Sequence, residues 1–183
     1  MHTKLNLATL LNSTAQYEEA AVALRPIEEW YIENNGPQDA TTVLAINNLA
    51  VALQHSGHEE EALALLERAL DAKLQILPAG HPSLLISFST TARIMRKVGD
   101  EEGAERLYDE AIEMGIAAHG RDQYHVKALE FQRAELLIAT GRLEQAKKIL
   151  KELIPRVEAT DPADSLFLKA VRRISAQIAG QSG

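Results

Sequence analysis

The sequence predicts an all-α protein, a right-handed α–α superhelix of four helix-turn-helix repeats followed by a C-terminal capping helix. Three observations favour this fold class. Small residues return at a fixed step along the 183-residue chain, and the apolar residues between them are spaced as on amphipathic helices. Hydrophobic residues make up 46% of the chain but aromatic residues only 4%. Alanine and leucine must therefore build the core, which suits closely packed helices better than sheets.

The internal repeat is visible in four residue series that share a step of 42 positions. Two helices approach closely only where the contact residue is small, so we expect the alanines at helix contacts. One helical hairpin cannot bury both of its faces, and neighbouring hairpins must therefore stack. The series are Ala8, Ala50, Ala92, Ala134 and Ala176; Ala20, Ala62, Ala104 and Ala146; Ala15, Gly57, Gly99 and Gly141; and Leu24, Leu66, Tyr108 and Leu150.

Each repeat is predicted as a helix A, a tight turn, a helix B and a longer joint. We place the repeats at about residues 1–38, 39–80, 81–122 and 123–161, within a single solenoid domain over 1–183. The predicted helix pairs are Thr3–Ser13 and Tyr17–Asn34, Ala40–Ser56 and Glu59–Leu77, Pro82–Val98 and Glu101–Ala118, and Gln123–Thr140 and Leu143–Glu158. A lone last helix, Pro162–Ala179, lies in the predicted capping segment 162–180.

The helix boundaries follow from turn and cap chemistry. In "SGHEEEA", Gly57 can adopt a positive φ in the turn, and the acids after it favour the start of the next helix. In "GHPS" and in "TDPAD", a polar residue precedes a proline, which is well placed at the first position of a helix. These two stretches predict helix starts at Pro82 and at Pro162.

The small residues in both helices of each repeat resemble the tetratricopeptide repeat, in which helix A carries a small residue at its eighth position and helix B an alanine at the twentieth. The longer period, the "GPQDA" joint, the "NNLA" stretch ending at Ala50 and half of a second joint in "PAGHP" resemble the kinesin-light-chain subtype. Thr91 and Arg133 depart from the leucine found at Leu7 and Leu49. The resemblance covers essentially the whole chain and implies a protein-binding scaffold.

The same resemblance implies that the A helices line a concave, peptide-binding groove. The asparagines could instead bond one helix to the next, and the basic group could be a solvated end of a helix. Phe131 and Ile138 would be the apolar anchors for the ligand. Arg93 and Lys97 would favour a ligand with acidic side chains. The residues expected to bind are Asn6, Asn12, Asn47, Asn48, Gln54, Arg93, Arg96, Lys97, Phe131, Glu135, Ile138 and Arg173.

The composition also argues against several functions. A net charge of −7 offers no footprint for nucleic acid, and the absence of cysteine removes thiolate chemistry and disulfides. No apolar run approaches the ~20 residues of a membrane span. We find no catalytic motif and expect no cofactor and no metal, although His55 and His58 lie three residues apart. We therefore expect a non-enzyme in the cytoplasm.

Three functions stay open at this point. The favoured one is an interaction scaffold that holds a peptide or helix of a partner protein in the groove. The second is a structural or self-associating segment of a larger protein, with a homo-oligomer formed through the solenoid ends. Charge is graded along the chain, from −4 over residues 1–42 to +3 over residues 169–183, which could support such contacts. The third is a peptide-sensing regulatory module.

Overall fold

The computed structural model describes residues 1–180, which form nine α-helices and no strand. The predicted fold class is confirmed: four helical hairpins follow one another and a last helix comes after them. The helices are α1 (His2–Ser13), α2 (Tyr17–Asn35), α3 (Ala40–His55), α4 (Glu59–Ile76), α5 (Pro82–Val98), α6 (Glu101–His119), α7 (Tyr124–Ala139), α8 (Leu143–Thr160) and α9 (Leu166–Ala179). None of these helices is both long and apolar enough to cross a membrane.

The described chain divides into two compact units. The first comprises Met1–Pro78 and Arg93–Asp100, and the second comprises Ala79–Ala92 and the residues from Glu101 onward. In the first unit α1 packs on α2, α2 on α3 and α3 on α4, and Ile94 joins their hydrophobic core. In the second unit α6 packs on α7, α7 on α8 and α8 on α9. A single domain over residues 1–183 stays a prediction, and residues 181–183 lie outside the described part.

The 42-residue series are located where the packing argument expects them. Ala8, Ala50, Ala92 and Ala134 are at most 1% exposed, and the alanines of the helix-B series are completely buried. The last member, Ala176, is exposed, because α9 has no following helix within residues 1–180. Small residues therefore mark helix contacts in all four hairpins.

The turn series has a common backbone conformation. Gly57, Gly99 and Gly141 have φ values of 80°, 91° and 76°, so each turn between helices A and B needs a left-handed residue. In the first repeat this position is Ala15, with φ 60°, the only non-glycine residue with positive φ in residues 1–180. A side chain is disfavoured in this conformation, so Ala15 has a backbone cost that glycine avoids in the other three turns.

The last helix begins later than the sequence predicts. Instead of starting at Pro162, α9 starts at Leu166, and the Ser165 hydroxyl accepts a hydrogen bond from the Leu168 N–H at 3.0 Å. The prediction at Pro162 was wrong because it treated Asp161 as a cap. The Asp161 carboxylate instead accepts a bond from Lys127 at 2.6 Å, and residues 162–165 form a turn. The cap at His81 is confirmed, since its Nδ1 accepts the Ser83 N–H at 3.2 Å.

Candidate functional site

The predicted binding residues of the first unit lie on α1, α3 and the end of α5, the helices in the A position of their repeats. We call this surface the A-helix face. Its residues are Asn6, Thr9 and Asn12 on α1, Leu44, Asn47, Asn48, Val51 and Gln54 on α3, and Arg93, Arg96 and Lys97 on α5. Hydrogen bonds between successive A helices show which of these polar groups already have a structural partner.

Asn12 and Asn48 bond α1 to α3. The Asn12 Nδ2 donates to the backbone carbonyl of Asn48 at 2.8 Å, and the Asn48 Nδ2 donates to the Thr9 hydroxyl at 2.9 Å. The Asn12 Oδ1 is buried and accepts no hydrogen bond within the described residues. In the structure these two asparagines therefore link one A helix to the next, which is the alternative to ligand binding.

Gln54 and Arg93 make the equivalent link between α3 and α5. Gln54 is buried, and its Oε1 accepts a hydrogen bond from the Arg93 Nη2 at 3.2 Å. Within residues 1–180 the Arg93 guanidinium has no carboxylate partner, and the bond to Gln54 restricts where it can lie. Gln54 therefore orients a cation and is itself too buried to form an open contact surface.

The remaining polar groups of the A-helix face are available to a ligand. Among residues 1–180, Asn6, Asn47 and Arg96 have no side-chain hydrogen bond or ion pair. Leu44 and Val51 lie on the same helix as Asn47 and are both exposed, with Leu44 half accessible. A half-buried amide between two exposed apolar side chains, with an arginine on the next A helix, is a surface that can accept an extended peptide.

The electrostatic surroundings of Lys97 differ from those of Arg93 and Arg96. It borders a cavity of about 510 Å³ together with the first turn of α4, which carries Glu59, Glu60 and Glu61. Lys97 forms no ion pair within 4 Å in the described chain, but those acids reduce the positive potential around it. Of the predicted basic group, Arg96 is thus the cation most accessible to an acidic ligand.

The second unit contains the remaining predicted residues. Phe131 is buried, and its ring packs edge-on against Phe167 with centroids 5.7 Å apart, so it supports the core and does not protrude. Ile138 is partly buried against the same core, whereas Glu135 and Arg173 are exposed. The Ser89 hydroxyl donates to the Gln132 Oε1 at 2.5 Å, so α5 and α7 are also linked through side chains.

Tyr124 is an exposed aromatic residue that the sequence analysis did not select. It is the first residue of α7, and its ring packs edge-on against Phe167 with centroids 5.6 Å apart. The only sequence signal was an aromatic residue at a joint, which does not indicate exposure. Tyr124 therefore presents the accessible aromatic surface that had been expected at Phe131.

The described residues contain no cluster of three or more histidine, aspartate or glutamate side chains arranged to hold a metal. His55 and His58 are separated by the turn at Gly57, and the His55 ring stacks on Tyr17 with centroids 4.3 Å apart. The chemical groups that the A-helix face offers to a ligand are therefore amides, apolar side chains and an arginine.

Two relatives resemble most of this chain at low sequence identity. The protein is 28% identical over 142 residues to the rat "Tetratricopeptide repeat protein 19, mitochondrial", a match that covers 74% of this chain and 38% of the relative. It is 22% identical over 138 residues to the "Clustered mitochondria protein homolog" of Aspergillus fumigatus, covering 71% of this chain and 10% of the relative. The chain therefore spans well under half the length of either relative.

The solved structures share the fold. A kinesin-light-chain-type protein of Podosopora anserina with nearly identical TPR-like repeats superposes with a TM-score of 0.84 at 22% identity, covering 98% of this chain and 86% of that one. BtubC (BKLC) from P. vanneervenii gives a TM-score of 0.73 at 17% identity, covering 96% and 73%. The neighbours in structure are thus kinesin-light-chain-like repeat proteins.

Family models match both halves of the sequence. The model described as "Tetratricopeptide repeat" matches residues 1–75, and the one described as "Tetratrico peptide repeat" matches residues 85–177. Domains of this kind generally act as protein-interaction modules and are typically non-catalytic. The repeat register, the helical hairpins and both matches agree, and the chain belongs to the tetratricopeptide repeat family.

Proposed function

We propose that this protein is an interaction module that binds an extended, acidic segment of a partner protein along the A-helix face of the first unit. The observation that carries the proposal is the free amide of Asn47 between exposed Leu44 and Val51, with the unpaired Arg96 on the next A helix. The cytoplasm and a non-catalytic role belong to the same proposal.

The chemistry of the face favours an extended ligand. A side-chain amide both donates and accepts, so Asn47 can bond the N–H and the C=O of a peptide backbone. Leu44 and Val51 give apolar side chains of the ligand a place to pack. The Arg96 guanidinium can hold a carboxylate through two parallel bonds, and Arg93, oriented by Gln54, adds a second positive charge.

The second unit carries predicted binding residues of its own. Glu135 on α7 and Arg173 on α9 are exposed there and can contact charged groups of a ligand. Ile138 and Phe131 support those helices from below, because both pack into the hydrophobic core of that unit. Asn6 of the first unit offers one more free amide. A peptide-sensing regulatory module would use the same groups.

The proposal can be tested by selecting binders from a displayed library of random peptides. The selected peptides are then synthesised and their affinity for the protein is measured. We expect the selected peptides to be acidic. The double variant Arg93→Glu with Arg96→Glu should weaken binding by about 2–5 kcal/mol if the charges are paired and desolvated in the complex. Asn47→Ala should weaken it by about 1 kcal/mol, the typical contribution of a hydrogen bond.

The matched control is Arg106→Glu with Lys151→Glu. These two cations are exposed on α6 and α8, helices in the B position, and the double variant makes the same change of net charge. It should leave the affinity for the selected peptides unchanged. Equal weakening in both double variants would show a nonspecific charge effect, and a failure to enrich acidic peptides would also contradict the proposal.

A further inference from the structure

A second surface of the first unit exposes several large apolar side chains. We call it the N-terminal face, and it consists of one side of the hairpin formed by α1 and α2. Leu7 is 61% exposed and Leu10 is 56% exposed, and Val22 and Trp30 are exposed on α2. A crevice of about 280 Å³ lies between the two helices beside these residues and is lined mainly by apolar side chains. Apolar patches of this kind on a soluble surface mark interaction sites.

The repeat register shows that these positions suit burial against another helix. One repeat later, Leu49 at the position of Leu7 is 2% exposed, and Ala52 at the position of Leu10 is completely buried. Within the first unit α3 packs on α2, the helix in the B position before it, as well as on α4 and α1. Within residues 1–180 no helix covers Leu7 and Leu10 in the same way.

The charges of the N-terminal face are complementary to one another. Lys4 is exposed, lines the crevice and forms no ion pair within residues 1–180. Glu29 and Glu33 follow Pro26 by three and seven positions, so they lie near the side of α2 that carries Pro26. Neither forms an ion pair within 4 Å in residues 1–180, although Arg25 attracts Glu29 over a longer distance.

The two helices place these opposite charges at the same level. The Tyr31 hydroxyl on α2 lies 3.0 Å from the His2 Nδ1 on α1, so the start of α1 is beside the second half of α2. A two-fold axis parallel to the helices would set α1 of one copy against α2 of another. It would then bring Lys4 opposite Glu29 and Glu33, and Leu7 and Leu10 opposite Val22 and Pro26.

We propose that the N-terminal face binds a second copy of this chain, forming a two-fold dimer in which α1 of each copy packs on α2 of the other. The contact reproduces the packing of a B helix on an A helix that α2 and α3 already make. Because such an interface uses the same patch on both copies, it closes as a dimer and does not extend into a filament. The proposal concerns a different surface from the peptide-binding proposal.

Sedimentation equilibrium over a wide range of protein concentration tests this dimer. We expect a monomer–dimer equilibrium, and Leu7→Gln with Leu10→Gln should raise its dissociation constant at least about 100-fold, because four leucines leave the interface. The control, Leu44→Gln with Val51→Gln, removes two other exposed apolar side chains, on the A-helix face. It should leave the dimer unchanged, with circular dichroism confirming the helix content of every variant.

An exchange of the charges on α1 and α2 tests how the two copies are oriented in the dimer. Lys4→Glu should weaken the dimer, and adding Glu29→Lys and Glu33→Lys to the same chain should restore it, because the opposite signs are then reversed together. A wild-type protein that stays monomeric at all concentrations would overturn the proposal. So would a dimer that tolerates the Leu7 and Leu10 substitutions, one that the control variant weakens equally, or one that the charge exchange fails to restore. Peptide affinity of the Leu7 and Leu10 variant, measured separately, distinguishes this result from a failure of the A-helix face.

Discussion

The Nζ of Lys127 lies 2.6 Å from the Oδ1 of Asp161, and the lysine side chain is only 2% exposed. Lys127 stands in the 42-residue register of Val43 and Leu85, both buried core residues. A charged group therefore occupies a core position of the fourth repeat. It is tolerated there because the Asp161 carboxylate and the Thr160 hydroxyl both accept hydrogen bonds from its ammonium group.

The first prediction concerns this pair. Asp161→Asn leaves the buried ammonium of Lys127 without its counter-charge, so we expect the free energy of unfolding to fall by about 3 kcal/mol. Chemical denaturation measures the change. Asp164→Asn is the matched control, since Asp164 is exposed and has no partner within residues 1–180, and its effect should stay within about 0.5 kcal/mol. Equal effects of the two substitutions would contradict the prediction.

The same pair predicts a pH dependence. The hydrogen bond from Lys127 holds the pKa of Asp161 below its ordinary value of 3.8. A carboxyl group whose folded pKa is lowered stabilises the fold above its unfolded pKa, and this stabilisation is lost as the pH falls through the lowered folded value. The stability difference between wild type and Asp161→Asn should therefore be constant at neutral pH and shrink below the ordinary aspartate range. Denaturation series at several pH values check this, and a constant difference in acid would contradict it.

Ala15 is predicted to be a weak point of the first turn. Ala15→Gly should raise the free energy of unfolding by about 1 kcal/mol, because the left-handed conformation costs an alanine that amount and a glycine almost nothing. The reciprocal change Gly57→Ala should lower it by a similar amount. A Cβ at Gly57 would meet no atom within 4 Å, so only the backbone is affected. Ala64→Gly, in the exposed middle of α4, should destabilise by about 1 kcal/mol and serves as the control of opposite sign.

Gly115 is predicted to be required for packing within the second unit. A Cβ there would lie 2.8 Å from the Val126 Cγ2 and 3.2 Å from the Leu85 Cδ1, both on buried side chains. Gly115→Ala should destabilise the protein by about 1–2 kcal/mol, although alanine is the better helix former. Combining it with Val126→Ala makes room for the new methyl group. The loss in the double variant should therefore be smaller than the sum of the two single losses, and additive losses would argue against the clash.

Asn12 and Asn47 should respond differently to the same substitution. Asn12→Ala removes the bond to the Asn48 carbonyl, so we expect a loss of about 1 kcal/mol in the free energy of unfolding. Asn47→Ala breaks no hydrogen bond within the described residues and should change stability by less than about 0.5 kcal/mol. Thermal or chemical unfolding of the two variants separates a structural asparagine from one available to a ligand. The reverse order of effects would exchange their assigned roles.

The sequence predicted the fold class and the ends of most helices because its information was local and repeated. Alanines at a constant step, glycines in the turns and amphipathic spacing all act within one hairpin, so each copy supports the same interpretation. The start of α9 was predicted wrongly because the competing partner of Asp161 is Lys127, which lies 34 positions earlier in the chain. From the sequence alone, an aspartate that caps a helix cannot be distinguished from one that forms an ion pair, because the partner in the ion pair is distant in the chain.

The candidate site was only partly predictable for a similar reason. The positions of Asn12, Asn48 and Gln54 on the A helices followed from the register, but their hydrogen-bond partners did not. The burial of Phe131 depends on Phe167 in the last helix, a contact that no local pattern indicates. Periodicity therefore tells which helix face a residue shares, whereas the freedom of a polar group to bind depends on its neighbours across the helices.

Arg133 occupies the register of Leu49 and forms ion pairs with Glu105 at 3.1 Å and with Asp109 at 2.6 Å, both on α6. Repeats that share one hydrophobic pattern are therefore not interchangeable. An in-frame deletion of residues 85–126 would preserve every alanine series, and it would place Arg133 next to a helix that carries Leu63 in place of Glu105 and Glu67 in place of Asp109. Shortening the protein by one whole repeat would thus keep only one of the two carboxylates that Arg133 now contacts, so the choice of junction limits how such an array can be recombined.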